Sequence, residues 1–365
     1  MDPYTYFDKC HGSWVGKVTG STFGMPFEGK NPREIAKQYG QVAGWQDPHG
    51  GGGGVVNDDE QFELVALLCL EEGGWDAFSV PNLAQAWQTY LNPKYVFTAE
   101  KQVMGNWKNG VPPEEAALPA NNPWWDFIGA QMKGEIFGQL APGNLPEATR
   151  LARIDGAVAH HGIGIDGEVF VACMVSQGMD CSDIPTRAMM EEHIKAALAQ
   201  CDATNYYVKL MNQVLAWTAE HPEPQGWKKV FEQVERWWQE EMLPVLLTTE
   251  KKHPSHQDRN GILTRCAVEP WHECHVLPNA GIIAIALLFG AGDFGQTLQL
   301  AAMMGYDADC NVGNVGGILG AYYGYEYIPS YWRDFTRDEI LAVVKDWEDP
   351  SLENLARRVQ KLAHI

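Results

Sequence analysis

The feature that most limits the fold of this chain is a glycine-rich stretch close to its carboxyl end. Glycine inside a helix costs up to about 1 kcal/mol per residue relative to alanine. Here small residues recur at helical spacing, which lets another helix approach closely. We therefore expect a central pair of tightly packed helices. The small residues are Gly313, Gly316, Gly317, Gly320, Ala321 and Gly324.

Two short acidic clusters stand where helices are predicted to begin. Residues 307–311, Asp-Ala-Asp-Cys-Asn, open the glycine-rich helix, and residues 57–60, Asn-Asp-Asp-Glu, open a largely apolar one. Acids in a first turn ordinarily cap free N–H groups and face the positive end of the helix dipole. If these two helices are the packed pair, their four aspartates converge, repel one another and require hard cations. Spacing alone leaves both interpretations open.

Helical patterns also dominate the rest of the chain. Residues 31–34 and 336–339 both have the sequence of a capped helix start, and apolar residues recur every three or four positions from Trp227 to Trp238. Segments 61–70 and 282–289 are apolar on nearly all sides, so we expect them to be central. No alternating strand pattern or internal repeat is present. We predict an all-α fold, a single compact multi-helix domain over residues 1–365.

Charge and cysteine content limit the partners and the compartment. The chain has 27 Lys+Arg against 47 Asp+Glu, a net charge of −20, which argues against nucleic-acid or anionic-membrane binding. The longest apolar run, residues 280–291, is shorter than the roughly 20 residues of a membrane span. The first residues lack a signal-peptide pattern, and the eight cysteines form no Cys-x-x-Cys pair. We expect a cytoplasmic protein with free thiols; its oligomeric state stays open.

Five consecutive glycines, residues 50–54, precede the first acidic cluster. Such a run is usually a flexible surface loop. A backbone without Cβ atoms beside carboxylates also suits the close approach of a ligand, which is the interpretation we favour.

Four segments resemble the ADP-ribosylglycohydrolase family, in particular its dinitrogenase-reductase-activating glycohydrolase type. The first is similar to the family's opening helix and loop, which ends at a functional glutamate. The second is similar to its Thr/Ser-Asp-Asp-Thr segment, the third to its middle substrate loop and a later histidine, and the fourth to its closing Asp-Thr-Asp-Thr helix. These segments are residues 12–28, 57–60, 129–133 with 158–160, and 305–311 with 320–324.

The resemblance implies an all-α fold around two divalent metal ions, Mg²⁺ first and Mn²⁺ second. The catalytic residues that it implies are Glu28, Asp58 and Asp309. The substrate contacts that it implies are Gly53, Gly54, Gln131 and His160. The metal-site residues that it implies are Asn57, Asp58, Asp59, Asp307, Asp309 and Cys310.

The activity that the resemblance implies is hydrolysis of an N- or O-glycosidic bond to ribose, most directly in an ADP-ribosylated small molecule or protein. Three positions depart from the family pattern: Asn57 replaces threonine or serine, Cys310 replaces threonine, and Ser21 replaces aspartate. Mg²⁺ binds sulfur poorly, so either Cys310 is not a ligand or the metal preference shifts. The alternatives are a hydrolase of a smaller N-riboside and a non-catalytic binding or structural relative.

A second metal motif competes with the acidic clusters. Residues 271–275, Trp-His-Glu-Cys-His, carry the side chains that Zn²⁺ prefers, but no partner segment stands at finger-like spacing. We expect a loop packed beside the core, and we expect His11 and His161 to be structural or solvent-facing.

Overall fold

The computed structural model describes residues 1–46, 53–249, 257–269 and 272–363. Over these residues the chain is built from helices and short turns, and its only β-pairings are three isolated bridges. The prediction of an all-α fold is confirmed. The α-helices in these ranges are α1 (Pro3–Gly24), α2 (Pro32–Tyr39), α3 (Asp58–Gly73), α4 (Val80–Tyr90), α5 (Thr98–Lys108), α6 (Pro113–Ala116), α7 (Glu135–Leu140), α8 (Leu145–Gly156), α9 (Ile163–Asp180), α10 (Arg187–Leu198), α11 (Tyr206–Glu220), α12 (Trp227–Trp237), α13 (Leu243–Thr249), α14 (Gln257–Cys266), α15 (Val276–Gly290), α16 (Phe294–Met304), α17 (Ala308–Tyr323), α18 (Ser330–Arg333) and α19 (Leu352–Leu362).

Helices α1 and α17 lie at the centre of the fold with their backbones in contact. A Cβ atom built on Gly16 would lie 2.1 Å from the carbonyl oxygen of Gly316, and one built on Gly316 would lie 2.1 Å from the oxygen of Gly16. Gly12 and Gly320 face each other in the same way. The close helix pair is confirmed, and the structure gives its second member, which the sequence left open. Helix α17 packs on α1, which carries glycines of its own at every fourth position, and not on α3.

The segments predicted to be central are buried. Helix α15 is buried along its whole length, and α3 is buried from Asp59 to Leu67. The amphipathic helix expected from Trp227 is α12, which continues into a π-helical turn at Trp238–Met242. Helix α19 packs against α1, so the two ends of the described chain meet. None of the described helices is long and apolar enough to span a membrane.

The two predicted helix starts had opposite outcomes. Asn31 and Glu34 form a complete capping box at the start of α2, as expected. The helix expected after residue 336 is absent: Arg337 and Asp338 have positive φ angles, and the chain then runs extended. Its backbone N–H groups bond to distant groups, Ile340 to the Pro350 carbonyl and Val343 to the Gln61 side chain. These tertiary bonds replace the helix that the local pattern favoured.

Candidate active site

The amino-terminal ends of α3 and α17 meet through their side chains. The Asn57 side chain donates to Oδ2 of Asp309 at 3.2 Å, and the Cys310 thiol donates to Oδ1 of Asp59 at 3.2 Å. One ligand atom each from Asp59, Asp309 and Cys310 lies within 4.8 Å of the other two. We call Asp58, Asp59, Asp307 and Asp309 the acidic centre. Residues about 250 positions apart in sequence thus form one site.

A short backbone pairing brings the loop after α1 to the same place. The amide of Gly29 donates to the carbonyl of Tyr306 at 2.8 Å, and the amide of Tyr306 donates to the carbonyl of Lys30 at 2.8 Å. Gly305 precedes this pair with φ +72°, and a Cβ there would lie 2.1 Å from the Lys30 oxygen, so only glycine fits. This pairing sets Glu28 beside Asp309.

Glu28 is solvent-exposed at the edge of the acidic centre. The negative charge of Asp309, together with partial burial and the charge of Glu273, raises the pKa of Glu28 to about 7. A carboxyl group at the edge of the acidic centre is suited to accept or return a proton. The catalytic role of Glu28 remains a prediction.

The acidic centre crowds four carboxyl groups into a largely buried place. Burial, and then the charges of Asp309 and Glu100, raise the pKa of Asp58 well above its usual range. Burial and Asp309 do the same to the pKa of Asp307. One buried carboxylate oxygen, Oδ1 of Asp309, has no hydrogen-bond partner, whereas Oδ2 of Asp59 lies 3.6 Å from the Lys17 ammonium. Because buried oxygens are normally satisfied, Oδ1 of Asp309 fits a divalent cation.

Two predicted metal-site residues take part in other interactions as well. The side-chain oxygen of Asn57 accepts from the Asp59 amide and so caps α3, while its amide nitrogen faces Asp309. Cys310 is buried, and burial together with the charges of Asp307 and Asp59 raises the pKa of its thiol well above the usual range. Without a cation the thiol therefore stays protonated. Direct ligation by either residue remains a prediction.

The predicted substrate contacts lie at different depths. Gly53 and Gly54 are half-buried, and a Cβ on Gly54 would lie 3.6 Å from the Val18 side chain of α1. Gln131 is fully buried, and its Oε1 accepts from the Tyr207 hydroxyl at 2.9 Å, so it lies in the core behind the site. The contact roles of these residues remain predictions, and Gly50–Gly52 lie outside the described residues.

His160 lies beside Glu100, a residue that the sequence did not single out. Its Nε2 lies 3.6 Å from Oε1 of Glu100, and both imidazole nitrogens lack a hydrogen-bond partner. Burial lowers the pKa of His160 to about 3 and raises the pKa of Glu100 to about 7, so both are neutral at moderately acidic pH. Because the charge of Glu100 also acts on Asp58, this pair belongs to the wall of the site. Nothing in the sequence around Glu100 distinguishes it from a surface acid.

Buried charges also continue beneath the acidic centre. Lys17, fully buried on α1, lies within 4 Å of Asp59, Glu63 and Glu135. Although burial alone would lower it, these carboxylates hold the pKa of Lys17 well above its usual range. The Ser21 hydroxyl donates to Oε1 of Glu60 at 2.6 Å. Ser21, which replaces the family's aspartate, thus has a specific hydrogen-bond partner on α3.

The competing zinc motif does not assemble over the described residues, of which Trp271 is not one. His275 caps α15 by accepting from the Leu277 amide, and its Nε2 lies 3.3 Å from Asp126. His272 packs edge-on to Phe127. Cys274 lies against Asp307, whose charge, after burial, raises the pKa of its thiol. The loop packs beside the core, as expected.

A groove of about 1290 Å³ lies elsewhere, between α2, α12 and α16. Its lining includes Arg33, Glu235 and Trp332 but no residue of the acidic centre. The volume of this groove therefore does not mark it as the active site; the clustered carboxylates mark the acidic centre instead.

Comparisons with known proteins bear on the family and the fold. The family model for ADP-ribosylglycohydrolase matches residues 2–364. A solved structure described as an ADP-ribosylglycohydrolase-related protein complex superposes with a TM-score of 0.61 at 16% sequence identity, over 99% of this chain and 99% of that chain. At this identity the structure shows the fold alone. A comparison with curated proteins gave no match. On the strength of the family model, the chain belongs to the ADP-ribosylglycohydrolase family.

Proposed function

We propose that this chain is a divalent-metal-dependent hydrolase of an N- or O-glycosidic bond to ribose, acting on an ADP-ribosylated substrate. The observation that carries the proposal is the grouping of Asp59, Asp309 and Cys310 within 4.8 Å, with an unpartnered buried oxygen on Asp309, in a member of this family. Assignment to the dinitrogenase-reductase-activating type rests on the sequence resemblance alone. The eight free cysteines support a reducing compartment such as the cytoplasm.

The metal part of the proposal names the side chains that hold the ions. Asp59, Asp309 and Cys310 form the core of the set, with Asn57, Asp58 and Asp307 around them. A bound divalent ion supplies orientation of the ribose hydroxyls and a water of lowered pKa. We propose two ions, Mg²⁺ first and Mn²⁺ second; ligation by the Cys310 sulfur would shift the preference away from Mg²⁺. Bound cations also offset the repulsion between a phosphate-bearing ligand and a protein of net charge −20.

Glu28 is the proposed proton carrier. Its carboxylate is exposed at the edge of the acidic centre, beside Asp309, so it can take a proton from the attacking water and return it later. Asp58 and Asp309 orient the reacting groups from the side of the site that lies deeper in the protein than Glu28. Glu100 and His160, neutral and buried, form a wall behind Asp58 that excludes water.

The test is a substrate panel with and without metal. ADP-ribosyl-arginine, ADP-ribosyl-serine and simple nucleosides are incubated with metal-free protein, then with added Mg²⁺ or Mn²⁺. We expect ribosyl-bond hydrolysis only with metal, lost in Asp307→Asn and kept in Asp76→Asn, a control on an exposed aspartate. Turnover of nucleosides alone would favour the smaller N-riboside. Full metal binding with no turnover on the panel would contradict the proposed activity and favour a binding role.

A further inference from the structure

A buried lysine lies directly beneath the acidic centre. The Nζ atom of Lys17 is 3.6 Å from Oδ2 of Asp59, 3.7 Å from Oε1 of Glu63 and 3.2 Å from Oε2 of Glu135. It also donates to the backbone carbonyl of Met132. One ammonium group is thus enclosed by three carboxylates, one of which belongs to the acidic centre.

Asp59 separates this ammonium from the candidate metal position. Its Oδ1 accepts from the Cys310 thiol, while its Oδ2, on the Lys17 side, has no hydrogen-bond partner. In the part of the chain that the structure describes, no other lysine or arginine nitrogen lies within 4.0 Å of an acidic-centre carboxylate. Lys17 is therefore the protein's own cation at this site.

We propose that Lys17 is a resident counter-cation of the acidic centre, which stabilises the metal-free fold and weakens the binding of a divalent ion. The inference rests on the metal site of the proposed function. It follows from charge and distance: a fixed ammonium beside Asp59 offsets aspartate repulsion when the site is empty, and repels a cation that enters. A lysine that served only to hold Asp59 in position would have the opposite effect, because its loss would weaken metal binding.

The experiment compares two buried lysines by calorimetric titration of metal-free protein with Mn²⁺. Lys17→Met removes the charge and keeps the length of the side chain. Lys9→Met is the matched control, because Lys9 is buried on the same helix but donates to the backbone carbonyls of Gly178, Ala321 and Tyr322 at the opposite end of α17. We expect Lys17→Met to bind Mn²⁺ about tenfold more tightly or more, the size of repulsion between a single and a double charge a few ångströms apart even in water. Lys9→Met should match the wild type.

Thermal unfolding gives a second measurement on the same proteins. Both variants should unfold at lower temperature than the wild type without metal, because Lys17→Met leaves buried acids unpaired and Lys9→Met leaves buried carbonyls without a donor. Only Lys17→Met should show a larger rise in Tm on addition of saturating Mn²⁺. A variant that merely lost packing would lose stability without this change in the response to metal.

Equal or weaker Mn²⁺ binding by folded Lys17→Met would overturn the inference. If the wild type itself binds no Mn²⁺, the proposed metal site is wrong. The two failures are therefore distinguishable, because one is seen in the comparison of the variant with the wild type and the other in the wild type alone. Should Lys17→Met not fold, the comparison moves to the Glu135→Gln background, since removing both partners of a buried pair costs less than removing one. K17M/E135Q should then bind Mn²⁺ more tightly than E135Q, and equal or weaker binding there also overturns the inference.

Discussion

Two glycines on α17 give a sharp test of the packing that supports the site. Gly316 faces α1, where a Cβ atom would lie 2.1 Å from the carbonyl oxygen of Gly16. Gly313 lies on the same helix, but a Cβ there would meet nothing nearer than 3.5 Å, the Lys17 side chain. Gly316→Ala and Gly313→Ala therefore add the same methyl group to the same helix in two different environments.

The expected energies follow from these distances. Ordinary contact begins at 3.4 Å, so Gly316→Ala requires α1 and α17 to separate by roughly 1.3 Å. Overpacking of this kind costs about 1–3 kcal/mol, and the clash with backbone oxygen places Gly316→Ala at the upper end. Alanine returns up to about 1 kcal/mol of helix propensity. We expect Gly316→Ala to lose about 2 kcal/mol and Gly313→Ala to gain up to about 1 kcal/mol.

Urea denaturation of the two variants and the wild type, each without metal and with Mn²⁺, measures this difference. The predicted order of stability is Gly313→Ala, wild type, Gly316→Ala, with about 3 kcal/mol between the two variants. Equal stability of the two variants, or a Gly316→Ala protein at least as stable as the wild type, would refute the close contact of α1 and α17.

Three further predictions concern the site. Glu28→Gln should keep Mn²⁺ binding and lower the rate of hydrolysis by about 10²–10⁴-fold, measured as kcat; an unchanged kcat would remove Glu28 from the chemistry. Wild-type protein loaded with Co²⁺ should show a sulfur-to-cobalt charge-transfer absorption that Cys310→Ser loses and Cys201→Ser keeps; no absorption in the wild type would exclude thiolate ligation. In the metal-free protein, ionisation of Glu100 should cost stability as pH rises from about 4.5 to about 7, because burial raises its pKa from 4.5 to about 7 and the folded state then holds more protons than the unfolded one; His160, whose pKa burial lowers to about 3, acts with the opposite sign. Glu100→Gln removes a contribution of about 3 kcal/mol, so between pH 5 and pH 7 in EDTA its Tm should change in the stabilising direction relative to that of the wild type, and parallel Tm curves would contradict the assignment.

The sequence was sufficient for the parts of the site that follow from local patterns. Acids at predicted helix starts and small residues at helical spacing are local features, and they led to the ends of α3 and α17. The glycines of α1, Gly12, Gly16, Gly20 and Gly24, have a four-residue spacing that was also visible and identifies the partner of α17. The acidic clusters left open whether the helix that follows residue 57 packs along α17, and the glycine stripe of α1 settles the pairing.

The remaining features of the fold and the site depend on tertiary contacts, which no local sequence pattern predicts. Lys17 and Glu63 have the residue types of a solvent-facing helix surface, yet both are buried because they pair across helices. The capping pattern at residues 336–339 favours a helix, but distant carbonyl and amide groups bind the backbone of the residues that follow. In both cases tertiary partners outweigh local preference.

The central claim is that the ends of α3 and α17 hold a divalent metal. Crystals grown with Mn²⁺ and measured for anomalous scattering test it most directly. We predict an anomalous peak within coordination distance of Asp59, Asp309 and Cys310. Crystals with no peak at this site, or with Mn²⁺ bound instead at His272 and His275, would contradict it.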